Sequence, residues 1–326
     1  MKRIAILLHC LLILLATVGC GRSDYHKSEG MIWNTTYHIT YQGPESLADS
    51  ILPILSRVGD ALNVFDPTSL VSRVNAGIST PVDSDFINVY QESGRINRMS
   101  HGAFDPTVSP LITAWGFGKG HTATPDTARI DSIMKFVGIG RTRLEGKTLI
   151  KSDKRTQFNF SAIAKGYACD EVGRMLARNG CRNYLVEIGG EIAASGNNPS
   201  GSKWRISIDR PLLQDSILHE SQCVVEISDV GVATSGNYRN FHTDAQGRNY
   251  GHTISAVTGR PVRTDVLSAT IIAQTGMQAD ALATACMALG SRAARQLCDS
   301  LDIPALLVLA DSTVWASPKF SKISVN

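Results

Sequence analysis

The sequence lacks any run of five or more lysine or arginine residues, although its formal net charge over 326 residues is +3. Proteins that bind a nucleic-acid backbone usually concentrate basic residues in a patch or stripe that contacts the phosphates. We therefore predict no nucleic-acid partner, whereas small anions are compatible with this charge. The composition, 43% hydrophobic and 19% charged residues, is that of a globular protein rather than a disordered one.

Cysteine pairs with CxxC spacing are also absent. Two of the seven cysteines, Cys10 and Cys20, lie in the N-terminal region, which leaves an odd number in the remainder of the chain. This count and spacing indicate neither a disulfide framework nor a zinc site. We predict that most of the others are buried as small hydrophobic side chains. They are Cys169, Cys181, Cys223, Cys286 and Cys298.

The apolar run near the N-terminus, residues 4 to 18, is too short for a comfortable transmembrane helix of ~20 residues. Lys2 and Arg3 precede this run, and Gly19 and Cys20 follow it. A basic start, a short apolar core and a small residue at the cleavage point are typical of a secretory signal. The cysteine at that point is typical of a bacterial lipoprotein.

These features predict how the N-terminus is processed. We expect residues 1–19 to be removed as a signal peptide, Cys20 to carry a lipid, and residues 20–30 to tether the domain at 31–320. Thr17 stands where lipoprotein signals usually have leucine, so a plain signal peptide cut nearby is the alternative. Both readings predict a location in the bacterial cell envelope, on the periplasmic or extracytoplasmic face. Lipidation would anchor the protein to a membrane.

The remainder of the chain mixes helix and strand patterns without a regular alternation. Apolar residues recur at helical spacing after Ser46, which resembles a capping box with Asp49. Further helices are predicted at 86–99, from Thr124-Pro125 to Gly138, at 162–179 and at 277–289. Strands are predicted at 184–188, 204–209, 223–227 and 268–273. Because no Pro/Ser-rich linker divides the chain, this mixture predicts one α+β unit with a mixed, largely antiparallel sheet and packed helices.

The tetrapeptide Phe-Asp-Pro-Thr occurs twice, at residues 65–68 and 104–107. The flanking sequences share nothing further, so an internal duplication is excluded. Each copy follows a predicted helix, and Asp-Pro favours an extended or turning backbone in which the carboxylate can cap nearby amides. Two ordinary helix-terminating turns would explain both copies if no other feature pointed to this region.

Lys165 lies in the first turn of the helix predicted at 162–179. A cation there opposes the helix dipole at a cost of roughly 0.3–1 kcal/mol unless an anion compensates. The amides at the same helix start also favour phosphate. A solvated lysine that extends away from the dipole is the alternative, and this position alone does not decide between the two.

Asp280 and Thr284 are four residues apart and therefore lie on one face of the helix predicted at 277–289. A carboxylate and a hydroxyl are oxygen ligands suited to Mg²⁺, which keeps some waters and shares phosphate oxygens. The competing interpretation is structural. A threonine within a helix commonly donates to the carbonyl four residues earlier, which here belongs to Asp280.

Two further segments carry candidate ligand contacts. The strand at 184–188 ends in Gly189-Gly190 followed by Glu191, and paired glycines permit either close approach of a ligand or a bulge. The segment 231–262 has no Ser-His-Asp or Cys-His spacing that singles out a nucleophile. A lone histidine such as the one in this segment is more often a hydrogen-bonded side chain than a catalyst. The polar side chains of the segment include Thr234, Ser235, Tyr238, Arg239 and His252.

The residues of these segments and their order along the chain, taken together, are more specific for one protein family than any single segment. The sequence resembles the ApbE family of FAD:protein FMN transferases over roughly residues 30 to 310. The matching stretches are GAFDPTVSPLITAWGFG, SAIAKGYACD, LVEIGGEI, ATSGNYRNF, GHTI…TGRPV and ADALATACMALG. The resemblance implies an ApbE-like single catalytic unit that binds FAD and Mg²⁺, moves FMN onto a threonine of a target flavoprotein and releases AMP.

Carried over residue by residue, the resemblance implies a metal site at the main-chain carbonyl of Ala162 and the side chains of Asp280 and Thr284. Three positions depart from the family pattern: Phe65 replaces a frequent tyrosine, Asn159 a usual aspartate, and Ser255-Ala256 a usual Asp-Pro pair. The implied FAD contacts are Met31, Phe65, Ala103, Phe104, Asp105, Asn159, Lys165 and Ile254.

The implied mechanism gives catalytic roles to His252 and Lys165. Lys165 and Mg²⁺ would offset phosphate charge, and His252 would accept the proton of the acceptor threonine, because its pKa lies near the working pH. Two rivals stay open: the site could admit water and hydrolyse FAD to FMN and AMP, or the protein could bind FAD without chemistry. The implied partners are target flavoproteins, with subunits of membrane redox complexes among the candidates.

Overall fold

The computed structural model describes residues 24–43, 46–117, 126–211, 220–236, 241–243, 249–251, 253–262 and 264–325. Within these ranges the strands are β1 (Tyr25–Ile32), β2 (Thr35–Gln42), β3 (Thr142–Glu145), β4 (Thr148–Lys151), β5 (Tyr184–Ile188), β6 (Glu191–Ser195), β7 (Trp204–Asp209), β8 (Ser221–Ile227), β9 (Val230–Gly236), β10 (Phe241–Thr243), β11 (Asn249–Gly251), β12 (Val266–Ala273), β13 (Ala305–Leu309), β14 (Val314–Ala316) and β15 (Ser324–Val325). The helices are α1 (Ala48–Leu62), α2 (Leu70–Asn75), α3 (Ser84–Met99), α4 (Ser109–Ala114), α5 (Thr127–Met134), α6 (Ala164–Arg178), α7 (Gly276–Leu289), α8 (Ser291–Ser300) and α9 (Pro318–Ser321), with a 3₁₀ turn at Ile139–Arg141.

An eight-stranded sheet forms the centre of the fold, in the order β1-β2-β5-β6-β9-β12-β13-β14. Each neighbouring pair of strands in this sheet is antiparallel. A smaller three-stranded sheet has the order β15-β8-β7, and β3-β4 and β10-β11 form two-stranded ribbons. The predicted α+β class with a largely antiparallel sheet is confirmed.

Both faces of the inner strands of the central sheet are covered. One face packs against α1, α3, α6 and α7 in the larger hydrophobic core, which includes Ile51, Phe86 and Val172. The other face packs against the three-stranded sheet through side chains such as Trp204 and Val225. A sheet that is buried on both faces cannot shift without unpacking two cores, so it is a rigid base for the elements at its edge.

Helix α1 has the apolar face that its sequence predicts, since Ile51 and Leu55 are fully buried. Its predicted capping box is wrong, because the helix begins at Ala48 and no side chain caps its first turn. Leu47 therefore occupies the capping position. Ser46 lies one residue too early and instead accepts a hydrogen bond from the Ala48 amide at 3.4 Å.

The other predicted elements agree with the structure to within about two residues, except for the third helix. Strands β5 and β7 coincide with the predictions, and α3, α6 and α7 begin within two residues of their predicted starts. The predicted end of the third helix at Gly138 is wrong, because α5 ends at Met134. Gly138 has φ 128° and starts the following 3₁₀ turn. Asp126 caps α5, and the predicted start at Thr124-Pro125 lies outside the described residues.

The predicted tether at residues 20–30 is wrong from Tyr25 onward. Tyr25–Ile32 forms β1, which pairs along its whole length with β2. Its residues alternate between more and less exposed, because an edge strand with one solvated face carries polar residues that resemble a linker in sequence. The folded unit also extends beyond the predicted limit of residue 320, since Ser324–Val325 pairs with β8.

The N-terminal predictions for residues 1–19 and Cys20 lie outside the described residues. Within the part of the chain that the structure describes, no helix has the length and apolar character needed to cross a bilayer. The prediction that most cysteines are buried is confirmed. Cys223 is half-buried and the other four described cysteines are buried, all as free thiols.

Candidate active site

A cavity of about 700 Å³ opens where α6 and α7 meet the start of β6, the end of β9 and the loop around residue 105. Met31 is not among the described residues that line it, and 73% of its surface is exposed on β1. His252 lies outside the described residues, although its neighbour Thr253 lines the cavity. The cavity brings together Phe65, Ala103, Phe104, Asp105, Asn159, Ala162, Lys165, Ile254, Asp280 and Thr284.

Close contact between α6 and α7 fixes the two helices at the polar end of the cavity. A Cβ atom on Gly166 would lie 2.1 Å from the carbonyl oxygen of Gly276, so only glycine permits this approach. The start of α7 is capped from α6, because the Asp170 carboxylate accepts the amides of Gly276 and Met277 at 2.7 and 2.9 Å. Burial raises the pKa of Asp170 to about 6. This packing places Asp280, one turn along α7, beside the first turn of α6.

Lys165, in the first turn of α6, forms an ion pair with Glu191 at the start of β6. Glu191 is only 4% exposed, and burial together with the nearby Asp280 raises its pKa. Burial opposes the charge on Lys165, but Glu191 and Asp280 outweigh this effect and raise the pKa of the ammonium group. Glu191 is therefore the anion that balances Lys165 against the dipole of α6.

The candidate metal ligands fit an oxygen-binding cation. In a regular helix the Gly166 amide would donate to the carbonyl of Ala162, but here it donates to Asp280 Oδ2 at 3.2 Å. The Ala162 carbonyl is thereby released at the irregular start of α6. The Thr284 hydroxyl lies 3.2 Å from the Ser235 hydroxyl, so its described partner is on β9 rather than the Asp280 carbonyl.

The charge balance of the same region also favours a cation. Among the described residues, two buried carboxylates, Asp280 and Glu191, lie near the one positive charge of the Lys165 ammonium group. Within the described ranges, no group of three or more His, Cys, Asp or Glu side chains could hold a metal ion. A cation here would rely on a carboxylate, a hydroxyl and a main-chain carbonyl, completed by water or ligand phosphate. That donor set suits Mg²⁺ better than zinc.

Asp105 is fixed at the cavity wall by four hydrogen bonds. Its Oδ1 accepts the amide and the hydroxyl of Thr107 at 2.8 and 2.6 Å. Its Oδ2 accepts the Ile139 amide at 2.9 Å and the Asn97 side-chain amide at 3.1 Å. Burial raises the pKa of Asp105 in spite of these bonds. The neighbouring Phe104 is buried, so this part of the wall is rigid.

Two of the three positions that depart from the family pattern, Asn159 and Ser255-Ala256, retain a defined backbone. The side-chain oxygen of Asn159 accepts the Ser161 amide at 2.9 Å, as an aspartate at this position also could. After Ile254, the Ser255 amide donates to the Arg260 carbonyl at 2.9 Å and closes a short loop. The Asn159 and Ser255 substitutions therefore leave the local turns intact.

The cavity is also lined by Glu191, Thr234 and Ser235, to which the sequence patterns gave no role. Gly189 and Gly190 have φ values of 60° and 98°, so the paired glycines form the tight turn between β5 and β6. That turn starts β6 at Glu191, and the Gly-Gly-Glu sequence was the signal that could have identified this residue. Thr234 and Ser235 were noted as polar, but their cross-sheet and cross-helix partners are distant in sequence.

The fold and the cavity define a class of protein. In it, a central antiparallel sheet carries a cleft with an aromatic wall, a lysine paired with a buried carboxylate, and a cluster of oxygen ligands. The chain belongs to the ApbE family, because the model of that family matches residues 33–307.

Individual relatives agree with this membership. The FAD:protein FMN transferase of Vibrio cholerae is 35% identical over 311 residues, which cover 91% of this chain and 91% of the relative. The solved structure of the flavin transferase ApbE from Vibrio cholerae covers 92% of this chain and 99% of its own, with a TM-score of 0.81 and 33% identity. The apo flavinyl transferase ApbE of Pseudomonas stutzeri gives a TM-score of 0.83 at 30% identity, and covers 92% of this chain and 96% of its own.

Proposed function

We propose that the protein is an FAD:protein FMN transferase, which moves FMN from FAD to a threonine hydroxyl of a target flavoprotein and releases AMP. The observation that carries the proposal is the convergence of Phe104, Asp105, Lys165, Asp280 and Thr284 on one cavity. The names of the relatives, which match most of this chain, support the same activity.

The proposed site binds the flavin of the substrate at one end of the cavity and its pyrophosphate at the other. The aromatic rings of Phe65 and Phe104 supply apolar contact area at the flavin end, with Asp105 beside them as a hydrogen-bond acceptor. At the other end, the Ala162 carbonyl, Asp280 and Thr284 would hold Mg²⁺. When bound, the ion would neutralise charge on the pyrophosphate.

The chain's own residues perform the remaining steps. Lys165, held by Glu191, donates hydrogen bonds to phosphate oxygens and keeps the pyrophosphate oriented. His252 accepts the proton of the acceptor threonine, whose oxygen then forms a bond to the FMN phosphorus. The bond between that phosphorus and the bridging oxygen breaks, and AMP leaves with this oxygen.

The proposal extends to location and partners. The N-terminal sequence supports a lipoprotein that is anchored through Cys20 on the periplasmic or extracytoplasmic side of a membrane. Flavoproteins that present an accessible threonine to that side, such as subunits of membrane redox complexes, would then be the acceptors. Phe65, which is 60% exposed at the cavity lining, leaves the flavin end accessible to such a partner.

Asp280→Ala tests the metal assignment. We expect the variant to lose Mg²⁺-dependent AMP release and FMN transfer, because the only carboxylate among the proposed ligands is removed. Purified protein is incubated with FAD, Mg²⁺ and a threonine acceptor, and the acceptor is weighed by mass spectrometry. Asp299→Ala, an exposed aspartate on α8, is the matched control. Wild-type transfer by Asp280→Ala would show that the metal assignment is wrong.

His252→Ala tests the proposed base. We expect FAD affinity close to that of the wild type, with FMN transfer strongly reduced, because the histidine acts on the acceptor hydroxyl rather than on FAD. His38→Ala, an exposed histidine on β2, serves as control. Unchanged transfer would contradict the base assignment. FMN and AMP formed without modified acceptor would instead indicate a pyrophosphatase, and FAD that stays intact with the wild-type protein would indicate a binding protein.

A further inference from the structure

Two cysteine thiols are in contact in the hydrophobic core, one on α7, which carries the proposed metal ligands, and one on α8. Cys286 lies in the last turns of α7 and Cys298 in the second half of α8, and their sulfur atoms are 3.7 Å apart. Both residues are 0% exposed. This separation is van der Waals contact between two sulfurs, whereas a disulfide bond requires about 2.0 Å.

The geometry requires only a small approach of the two thiols. Gly290, with φ 76°, joins α7 to α8 directly, so the chain turns sharply between the two helices. A disulfide would require the two sulfurs to approach from 3.7 Å to about 2.0 Å, through side-chain rotation and a slight shift of the helices. Both thiols are fully buried in the folded protein, so an oxidant reaches them most readily while the core is still forming.

The remaining described cysteines have other surroundings. Cys169 on α6 donates to the Glu191 carbonyl at 3.1 Å, Cys181 follows α6, and Cys223 lies half-buried on β8. The sequence spacing indicated no disulfide framework, and only the fold reveals that two of the five cysteines form a pair.

We propose that Cys286 and Cys298 are a modification site that forms an intramolecular disulfide when the protein folds in an oxidising environment. The oxidant is a disulfide, either of an oxidoreductase or of glutathione. The Cys286 thiolate attacks one sulfur of the oxidant, which releases the first thiol and leaves a mixed disulfide. The Cys298 thiolate then attacks the Cys286 sulfur and releases the second thiol. Two protein thiols are oxidised and one oxidant disulfide is reduced to two thiols.

The bond would fasten the end of α7 to α8. Asp280 and Thr284 lie on the same helix as Cys286, so the crosslink would stabilise the element that carries the proposed metal ligands. Once the core closes, both sulfurs are shielded from reductants, which gives the bond a structural rather than a switching character.

Peptide mapping tests the proposal directly. The full chain is unfolded, refolded in a buffer with reduced and oxidised glutathione, alkylated without reduction and digested with trypsin. Cleavage produces peptides 264–292 and 296–319, each with a single cysteine. We expect these two peptides as one crosslinked species that separates after treatment with dithiothreitol. Recovery of both as separately alkylated peptides, or a crosslink that involves another cysteine, would overturn the proposal.

Thermal unfolding supplies a second, independent measurement. We expect the midpoint of the oxidised wild-type protein to fall by several degrees on reduction, because the crosslink restricts the unfolded chain. The redox difference should vanish in Cys286→Ala and in Cys298→Ala and persist in Cys181→Ala. Comparing each variant with itself in the two redox states cancels the cost of the cavity that the substitution creates. A redox difference that survives in the Cys286→Ala variant would refute the assigned pair.

Discussion

The sequence Phe-Asp-Pro-Thr forms one loop at residues 65–68 and another at 104–107. In both loops the aspartate Oδ1 accepts the amide and the hydroxyl of the threonine two residues later. The two distances are 2.8 and 2.7 Å at Asp66, and 2.8 and 2.6 Å at Asp105. The four residues therefore encode the same local turn in two different places.

The surroundings of the two loops differ. Phe104 is 3% exposed, whereas Phe65 is 60% exposed. In the second loop Asp105 also accepts hydrogen bonds from Asn97 and Ile139, and the Gly138 amide donates to the Thr107 hydroxyl at 2.6 Å. The conformation of the turn is therefore determined by its own four residues. Its burial and its rigidity depend on the elements that pack against it.

The largest expected effect separates the two aromatic residues. Phe104→Ala should lower the free energy of unfolding by about 3–5 kcal/mol, because it leaves a cavity in a packed core. Phe65→Ala should change it by only about 0.5 kcal/mol, since the ring is exposed, yet it should weaken FAD binding. Urea unfolding and FAD titration of both variants measure the two effects. Equal losses of stability would contradict the described difference in burial.

A smaller difference is expected for the two aspartates. Asp105→Ala should lower the free energy of unfolding by about 2–3 kcal/mol, because the Ile139 amide and the Thr107 hydroxyl lose a buried acceptor. Asp66→Ala should cost about 1 kcal/mol or less, because water can replace its carboxylate at an exposed turn. Chemical denaturation of the pair measures this. If Asp66→Ala proved the more damaging change, the second loop would not be the better supported one.

The smallest expected effect is a pH dependence of the stability that Asp105 contributes in the second loop. Burial raises the pKa of Asp105 above its usual 3.8, so its contribution to stability is fully present below pH 3.8 and is lost as pH rises through the folded-state pKa. The stability difference between the wild type and Asp105→Asn should therefore shrink as pH rises above 3.8. Denaturation curves over a pH series measure it. A difference that grows with pH would reverse the inferred sign.

Most of the secondary structure could be predicted from the sequence, because the spacing of apolar residues matches the period of the helix or strand that buries them. The apolar face of α1 and the limits of β5 and β7 follow from that period alone. Prediction from the sequence failed at β1, because a polar edge strand resembles a linker. It also failed at Ser46, because the capping position of α1 is one residue later, at Leu47. Both failures concern places where solvent-facing residues carry little pattern.

The candidate site likewise contains some contacts that the sequence predicts and others that it does not. Asp280 and Thr284 share a helix face, so their proximity is readable from spacing alone. The ion pair between Lys165 and Glu191 could not be predicted from spacing. Glu191 lies 26 positions away and contacts Lys165 only because β6 packs beside α6. The Ser235–Thr284 contact likewise depends on α7 crossing the end of β9.

The sequence by itself determined the local turns, the helix faces and the resemblance to the ApbE family, because each rests on residues that are neighbours or regularly spaced. Tertiary structure alone decided which Phe-Asp-Pro-Thr loop is buried, which acid balances Lys165, and that Cys286 touches Cys298. These contacts join elements whose separation in sequence carries no periodic signal, and only the packing of helices on the sheet selects them.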